Sequence, residues 1–276
     1  MFINDHCIVV RLAGGLGNQF FQFGAALRML HDNNYKCIIL DKSALSNYKV
    51  NRSLELEKFI DFEKCIVPVY IESKFLCKFR IPRFASFNFL QNPFVGDRNY
   101  KCALNAPASS SRVLDGYFQT QLEQNDFDIM SSEINKLLVK GNCTQGLDNR
   151  KICVIHIRGK DFVSLGLNYA TSDEYYSESM DFMSENLNVK DFVVVTDDVS
   201  YAKNLLKKTK YKVKVQSGEM LKDFITICQY SNRILSSSTF ALWASTIGNN
   251  RVNSLVITPP SLIDKGGRSF FLPNEV

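Results

Sequence analysis

Short apolar runs and helically spaced apolar positions alternate along this chain. Residues 7–12 (CIVVRL) read as a buried strand. A turn, Ala13-Gly14-Gly15-Leu16-Gly17-Asn18, follows, and residues 19–30 then place Phe20, Phe23, Gly24, Leu27 and Leu30 at helical spacing. Residues 36–40 (KCIIL) read as the next strand and end at Asp41, which completes a βαβ opening. The alternation returns after residue 150. Strands are predicted at 152–157, 191–195, 212–215, 233–235 and 254–258. Helices are predicted from Ser172-Asp173 to about Leu187, in the Lys-rich stretch after Asp198, at 219–230 and at 240–247. The pattern therefore predicts an α/β protein of two units, residues 1–150 and 151–276, each a parallel sheet with right-handed crossovers. Between about 60 and 150 the periodicity resolves few elements. Residues 105–111 read as a loop and 144–150 (TQGLDNR) as a linker.

Composition narrows the class. With 45% hydrophobic and 22% charged residues the chain is an ordinary folded protein, which excludes wholesale disorder. A net charge of +5 is too small to imply nucleic-acid binding and suits an anionic ligand or an anionic membrane surface. The eight cysteines form no CxxC pair and no Cys/His ligand spacing, so no zinc site is expected. They read as reduced, mostly buried thiols of a cytoplasmic protein. The N-terminus lacks the basic and apolar regions of a signal peptide, and no apolar run approaches the ~20 residues of a membrane span.

In parallel α/β sheets ligands bind beyond the carboxyl ends of the strands, and four strand-to-helix turns carry suitable chemistry. Gly14-Gly15-Leu16-Gly17-Asn18-Gln19 lets backbone approach a ligand at a helix N-terminus. With Asp41 as a ribose acid it also fits part of a dinucleotide fingerprint, although Phe20 stands where the third glycine belongs. His156-Ile157-Arg158-Gly159-Lys160-Asp161 places a guanidinium at a strand end, where it forks onto a pyrophosphate or forms a local ion pair. Thr196-Asp197-Asp198 offers carboxylates to ribose or base, or simply caps a helix; against a metal-binding DxD, the two acids are adjacent and lack the spacer that would let them share one cation. Ser237-Ser238-Thr239-Phe240 is either an anion cradle or a capped helix start. Three of the four fall in the second unit and together describe one nucleotide diphosphate site.

The same residues resemble a family, the bacterial α-1,2-fucosyltransferases (glycosyltransferase family 11), and more distantly the protein O-fucosyltransferases and α-1,6-fucosyltransferases. The start GGLGNQFFQFGAAL is similar to the family's GGLGNQ-x-FQ opening, and DGYFQTQ (residues 115–121) to its GYxQ segment. HIRGKDF resembles HxRRGDY, TDD resembles a strand-end acidic pair, and residues 223–243 resemble the D…MxxC…I…NSTFSWW signature. The resemblance implies a GT-B fold, two Rossmann-like domains facing across a cleft, with GDP-fucose held mainly by the second. It implies transfer with inversion, no required metal and no other cofactor.

Residue by residue, the resemblance assigns donor binding to His156, Asp161, Asp197, Asp198, Asp223, Ser238, Thr239 and Phe240, with Gly15 and Gly17 in the first-domain turn. Arg158 and Asn18 take the catalytic places. It implies a β-galactosyl-terminated oligosaccharide or lipid-linked glycan as acceptor, in surface polysaccharide or O-antigen assembly. Gly159 and Lys160 depart from HxRRGDY, Ser237 replaces the Asn before STF, and Leu242 replaces the first Trp. GDP-colitose is accordingly an alternative donor. A nicotinamide-dependent oxidoreductase built on Gly15, Gly17 and Asp41, and an inactive nucleotide-sugar-binding protein, are the readings from other classes. The stretch 74–98, rich in Lys, Arg and Phe, reads either as a peripheral membrane or lipid-linked glycan contact, or as core with solvated cations.

Overall fold

A computed structural model describes residues 6–47, 52–72, 94–104, 111–120, 122–139, 151–160, 171–248, 254–259 and 269–276. Asp161, most of the basic-aromatic stretch 74–98, the loop 105–110 and the linker 144–150 lie outside the described residues. The chain divides into two compact units, Met1–Val139 and Lys140–Val276.

In the first unit, strands β1 (Cys7–Arg11), β2 (Cys37–Asp41), β3 (Val69–Glu72), β4 (Phe94–Val95) and β5 (Arg112–Leu114) form a parallel sheet of order β3-β2-β1-β5-β4. Ile8, Val9 and Val10 of β1 are fully buried, as a central strand covered on both faces requires. Fully burying each such side chain stabilises the fold by roughly 1.5–3 kcal/mol. The helices are α1 (Leu16–Asp32), α2 (Tyr100–Leu104) and α3 (Gln124–Leu137). Helix α1 lies against α3 closely enough that a Cβ on Gly24 would sit 2.8 Å from Met130 Cε. The α1 helix begins at Leu16, three residues before the apolar spacing starts, because the chain leaves extended geometry at its N-cap, Gly15. Gly17 and Asn18 therefore occupy the first helical turn.

The cysteine expectation is corrected. Cys7 and Cys37 are disulfide-bonded. They face each other in register on adjacent strands with Cα atoms 4.8 Å apart, within the range that bridges without backbone movement. Single-strand patterning cannot show this pairing, which exists only once β1 and β2 align. Among the described residues, Cys65, Cys102, Cys153 and Cys228 form no disulfide, and the buried Cys228 thiol donates to the Ala244 carbonyl at 3.2 Å.

The second unit carries β6 (Ile152–Ile157), β7 (Asp191–Thr196), β8 (Lys212–Gln216), β9 (Asn232–Ile234) and β10 (Leu255–Ile257), all parallel, in the order β10-β9-β6-β7-β8. The helices bounded within its described residues are α4 (Asp173–Leu187), α5 (Val199–Leu205), α6 (Met220–Gln229) and α7 (Thr239–Gly248). Cys153, Ile155 and Ile157 of β6 pack with Phe192, Val194 and Ile234, and with Tyr176, Met180 and Met183 of α4. Arg233, fully buried on β9, donates to the carbonyls of Ile227 (3.0 Å), Cys228 (3.2 Å) and Gly248 (2.9 Å), so one guanidinium ties the C-terminal ends of α6 and α7.

Each sheet has one point where the strand order reverses direction: between β1 and β5 in the first, between β6 and β9 in the second. Helices that leave the sheet to opposite sides open a crevice there, at the carboxyl ends of the strands.

Candidate active site

The second unit's crevice is built by the ends of β6, β7 and β9. His156 is the penultimate residue of β6. Its Nδ1 lies 2.7 Å from the hydroxyl oxygen of Ser236, just beyond β9, so this bond spans the reversal point. Its ring also stands 5.7 Å from that of Phe240, which packs edge-on against Phe224. Burial, reinforced by the neighbouring Arg158 charge, pushes His156 down to about 3. At any working pH its imidazole is neutral and contributes directed hydrogen bonding rather than charge.

Arg158 follows directly. Its Nη1 lies 2.8 Å from Asp197 Oδ2, and both side chains are mostly covered, 25% and 21% exposed. The other oxygen of Asp197 accepts from the amide of Gly159 at 2.7 Å. Sequence reading sends Arg158 to phosphate and Asp197 to sugar or base. In this structure the two pair, and one carboxylate fixes both the guanidinium and the loop carrying it. Gly159 stands where the family-like motif has a second Arg. A Cβ there would lie 2.5 Å from Asp198 Cβ, so the turn has no room for any side chain at this position. Asp198 caps α5, accepting from the amide of Tyr201 at 2.9 Å.

Ser236, Ser237 and Ser238 are buried, and the Ser238 amide closes the turn onto the Ser236 carbonyl at 2.7 Å. Helix α7 begins at Thr239, and the half-buried Phe240 follows. Leu242 and Trp243 are fully buried, so their positions belong to the core. Asp223, in the first turn of α6, is 8% exposed. It accepts from the Gly218 amide at 3.3 Å through Oδ2, while its buried Oδ1 has no partner among the described residues. Desolvation raises its carboxyl above the usual range, and the Asp197 charge acts in the same direction. His156, Arg158, Asp197, Asp223 and the serine turn thus occupy one edge of one sheet.

The first unit's crevice is built by the turn after β1 and the segment after β5. Gly14 adopts φ +77°, and a Cβ on it would lie 2.3 Å from Asn18 Nδ2, so the Asn18 amide fills the space a side chain would need. Gly15 has an ordinary extended backbone, and a Cβ there would meet nothing within 4 Å. Gly17 is buried in α1. Gln119 Nε2 donates to Asn18 Oδ1 at 3.0 Å. Gln22 accepts from the Ala13 amide and donates to the Gly116 carbonyl, both at 3.0 Å. Gln19, fully buried, instead braces residues 53–55 through the Ser53 carbonyl and Glu55 amide. Asp97 accepts from the amides of Tyr117, at 3.0 Å, and Phe118, which fixes Phe118 at φ +54°. Arg11 Nη1 pairs with Asp115 Oδ2 at 3.0 Å on the same edge. Asp41 is fully buried and accepts from the Ser43 amide at 2.9 Å, so it is closed to a ribose.

The family model described as Glycosyl transferase family 11 matches residues 7–265. The chain belongs to glycosyl transferase family 11. The resemblance in its motifs is thereby borne out, and this family 11 chain is a glycosyltransferase, not a nicotinamide-dependent oxidoreductase. It is 24% identical to the "Alpha-1,2-colitosyltransferase" of Escherichia coli over 92% of this chain and 91% of that protein. It is 22% identical to the "O-antigen biosynthesis glycosyltransferase WbnK" of Escherichia coli over 90% of this chain and 92% of that protein. Its fold is similar to a solved structure of POFUT1 in complex with GDP-fucose, with a TM-score of 0.55 at 11% identity, covering 94% of this chain and 98% of that one. The expected GT-B architecture of two Rossmann-like domains accordingly stands. Among the described residues, no group of three or more His, Cys, Asp or Glu could hold a metal ion, and no helix is long and apolar enough to cross a membrane.

Several residues of the two crevices have contacts that sequence reading does not show. Ser236 precedes the turn 237–240 that reads as an anion cradle or a capped helix start, and no local signal links it to His156. Asp97 sits in the stretch with no clear periodicity, and no local signal links it to residues 117–118. Gln22 belongs to the GGLGNQ-x-FQ opening, but nothing in the sequence gives its partners, the Ala13 amide and the Gly116 carbonyl.

Proposed function

We propose that this glycosyltransferase moves L-fucose from GDP-fucose to a glycan hydroxyl, O2 of a terminal β-galactoside, with inversion and without a metal. The acceptor is an oligosaccharide or lipid-linked glycan of surface polysaccharide or O-antigen assembly. The reaction belongs in the cytoplasm, at or near the inner membrane face.

The observation that carries this reading is Arg158, oriented by Asp197 at the carboxyl end of β6 beside the reversal point of its sheet. Breaking the bond between sugar C1 and the diphosphate leaves negative charge on GDP while the sugar becomes oxocarbenium-like. Fixed donors aimed at that developing charge lower the barrier because they need no reorganisation when it forms. Arg158 is the permanently charged donor. The neutral His156 and the hydroxyls of Ser238 and Thr239 add directed hydrogen bonds at the helix start, and Phe240 offers an apolar face. Asp223, whose buried Oδ1 has no hydrogen-bond partner among the described residues, accepts a hydroxyl or N–H of the nucleoside. Asp161 completes the nucleotide contacts by motif. Asp197 and Asp198 support the donor from the base and ribose side chiefly by holding Arg158 and α5 in place. By the resemblance Asn18 is assigned to the diphosphate or to the attacking hydroxyl, with Gly15 leaving room for close approach.

A second reading replaces fucose by colitose, which lacks one hydroxyl. It is favoured by the similarity to an α-1,2-colitosyltransferase over nine-tenths of both chains. An acceptor screen read by mass spectrometry, run with GDP-fucose and GDP-colitose in the presence of EDTA, tests both readings. Addition of the deoxysugar to β-galactosides supports the proposal. Transfer abolished by EDTA and restored by Mg²⁺ or Mn²⁺ contradicts the metal-free mechanism, and product from neither donor contradicts the donor class.

A further inference from the structure

We propose that Gln119 is a positioning residue that sets which way the Asn18 side-chain amide faces, so that its N–H, rather than its carbonyl, is presented to the reacting groups. This rests on the role proposed for Asn18 above and goes beyond it by explaining what the DGYFQ segment contributes.

An asparagine amide is nearly symmetric in shape but opposite in chemistry at its two ends, so a neighbour must decide its orientation. Gln119 is 8% exposed, and its Nε2 donates to Asn18 Oδ1 at 3.0 Å. That bond commits the oxygen toward Gln119 and leaves Nδ2 over the Gly14 turn, where φ +77° and the missing Cβ make room for it. The next residue, Gly15, faces open space among the described residues. The amide donor is thus held beside the place where a ligand can approach backbone.

The segment that delivers Gln119 is itself built for rigidity. Asp97 holds the amides of Tyr117 and Phe118, and Gln22 holds the Gly116 carbonyl to the same helix that carries Asn18. Phe118, 2% exposed with φ +54°, is anchored against Tyr100 with ring centroids 5.0 Å apart. Two sequence segments about a hundred residues apart therefore meet across the reversal point between β1 and β5 through side-chain amides. The second unit makes the analogous bond, His156 to Ser236, between β6 and β9.

The test uses Gln119→Glu, Gln119→Met, Asn18→Ala and the Gln119→Met/Asn18→Ala double variant. The carboxylate introduced by Gln119→Glu can only accept, so it turns Asn18 to donate toward it and to present its oxygen to the reacting groups. Removing one transition-state donor costs ~100- to 1,000-fold in rate. Gln119→Glu is expected to lose kcat as far as Asn18→Ala, with GDP affinity and melting temperature close to wild type. Gln119→Met is expected to lose about 10-fold, as supporting residues do. The double variant should match Asn18→Ala alone, because residues acting through one another are not additive.

The ligand-free protein supplies a readout independent of turnover: the ¹H–¹⁵N resonances of the Asn18 side-chain amide should shift in Gln119→Met. Near-wild-type kcat in Gln119→Glu, unchanged kcat in Asn18→Ala, independent losses that multiply in the double variant, or an unmoved Asn18 resonance would each overturn the proposal. A wild-type chain that neither binds GDP nor transfers a GDP-sugar would instead sink the functional reading, and the resonance would still judge the pairing.

Discussion

Two adjacent glycines in the first turn are predicted to fail in opposite ways. At Gly15 the backbone is extended, with φ −81° and ψ −179°, and an added methyl meets nothing within 4 Å. Alanine loses up to about 1 kcal/mol as an N-cap but regains ~0.4–1 kcal/mol by restricting the unfolded chain. The net change stays within about 1 kcal/mol, or roughly 2–4 °C in melting temperature for a chain of this size. If backbone approaches the substrate here, the methyl displaces it by about 1 Å, a misplacement that costs on the order of 100-fold in turnover. At Gly14, alanine must adopt φ +77°, which costs ~1–2 kcal/mol, and its methyl must evict an amide nitrogen 2.3 Å away. Gly14→Ala should therefore lose stability and activity together, with melting lowered by about 5 °C or more. Thermal unfolding and donor turnover measured side by side on both variants decide the matter. Gly15→Ala with turnover within about threefold of wild type would refute the ligand-approach reasoning, and a large melting drop in Gly15→Ala would show that the fold itself needs the glycine.

His156 ties stability to pH. Its folded value of about 3 lies below the 6.5 of an unfolded histidine, so the unfolded state binds the extra proton between these values. The stabilisation is full above about pH 6.5 and is lost as pH falls toward 3, at ~1.4 kcal/mol per pH unit and at most ~5 kcal/mol. Urea titrations of wild type and His156→Gln at pH 7 and pH 5 should show the smaller acid-side loss in the variant, and equal losses would contradict the burial argument. Non-reducing peptide mapping should recover Cys7 and Cys37 in one linked fragment. The bridge lies at the amino end of the sheet while the candidate site lies at the carboxyl end, so dithiothreitol should leave turnover within about twofold. A large loss would place the bridge in the working machinery.

Much of the second unit was legible because its strands are short apolar runs closed by polar turns, and a fully buried parallel strand reads in this way. The first βαβ was legible for the same reason. Strands β4 and β5 were not, being two and three residues long and too short to show a period, although β5 is a direct neighbour of β1. The resemblance marked the turns that hold the site, but the partners within them depend on tertiary placement. Asp197 was readable as a strand-end acid, yet its pairing with Arg158 and Gly159 depends on the alignment of β6 with β7. Ser236 and Gln119 acquire their roles only where the ends of non-consecutive strands meet. Gly159 looked like a defect in a motif and is accounted for by the close packing of Asp198.

The most direct measurement is isothermal titration of GDP into wild type and Arg158→Ala. A charge-assisted hydrogen bond contributes ~1.5–3 kcal/mol, so the account predicts GDP binding to wild type and binding about 10- to 150-fold weaker in the variant, with melting unchanged. Equal GDP affinity in the two proteins, or no binding to wild type, would contradict the assignment of Arg158 to the nucleotide's diphosphate.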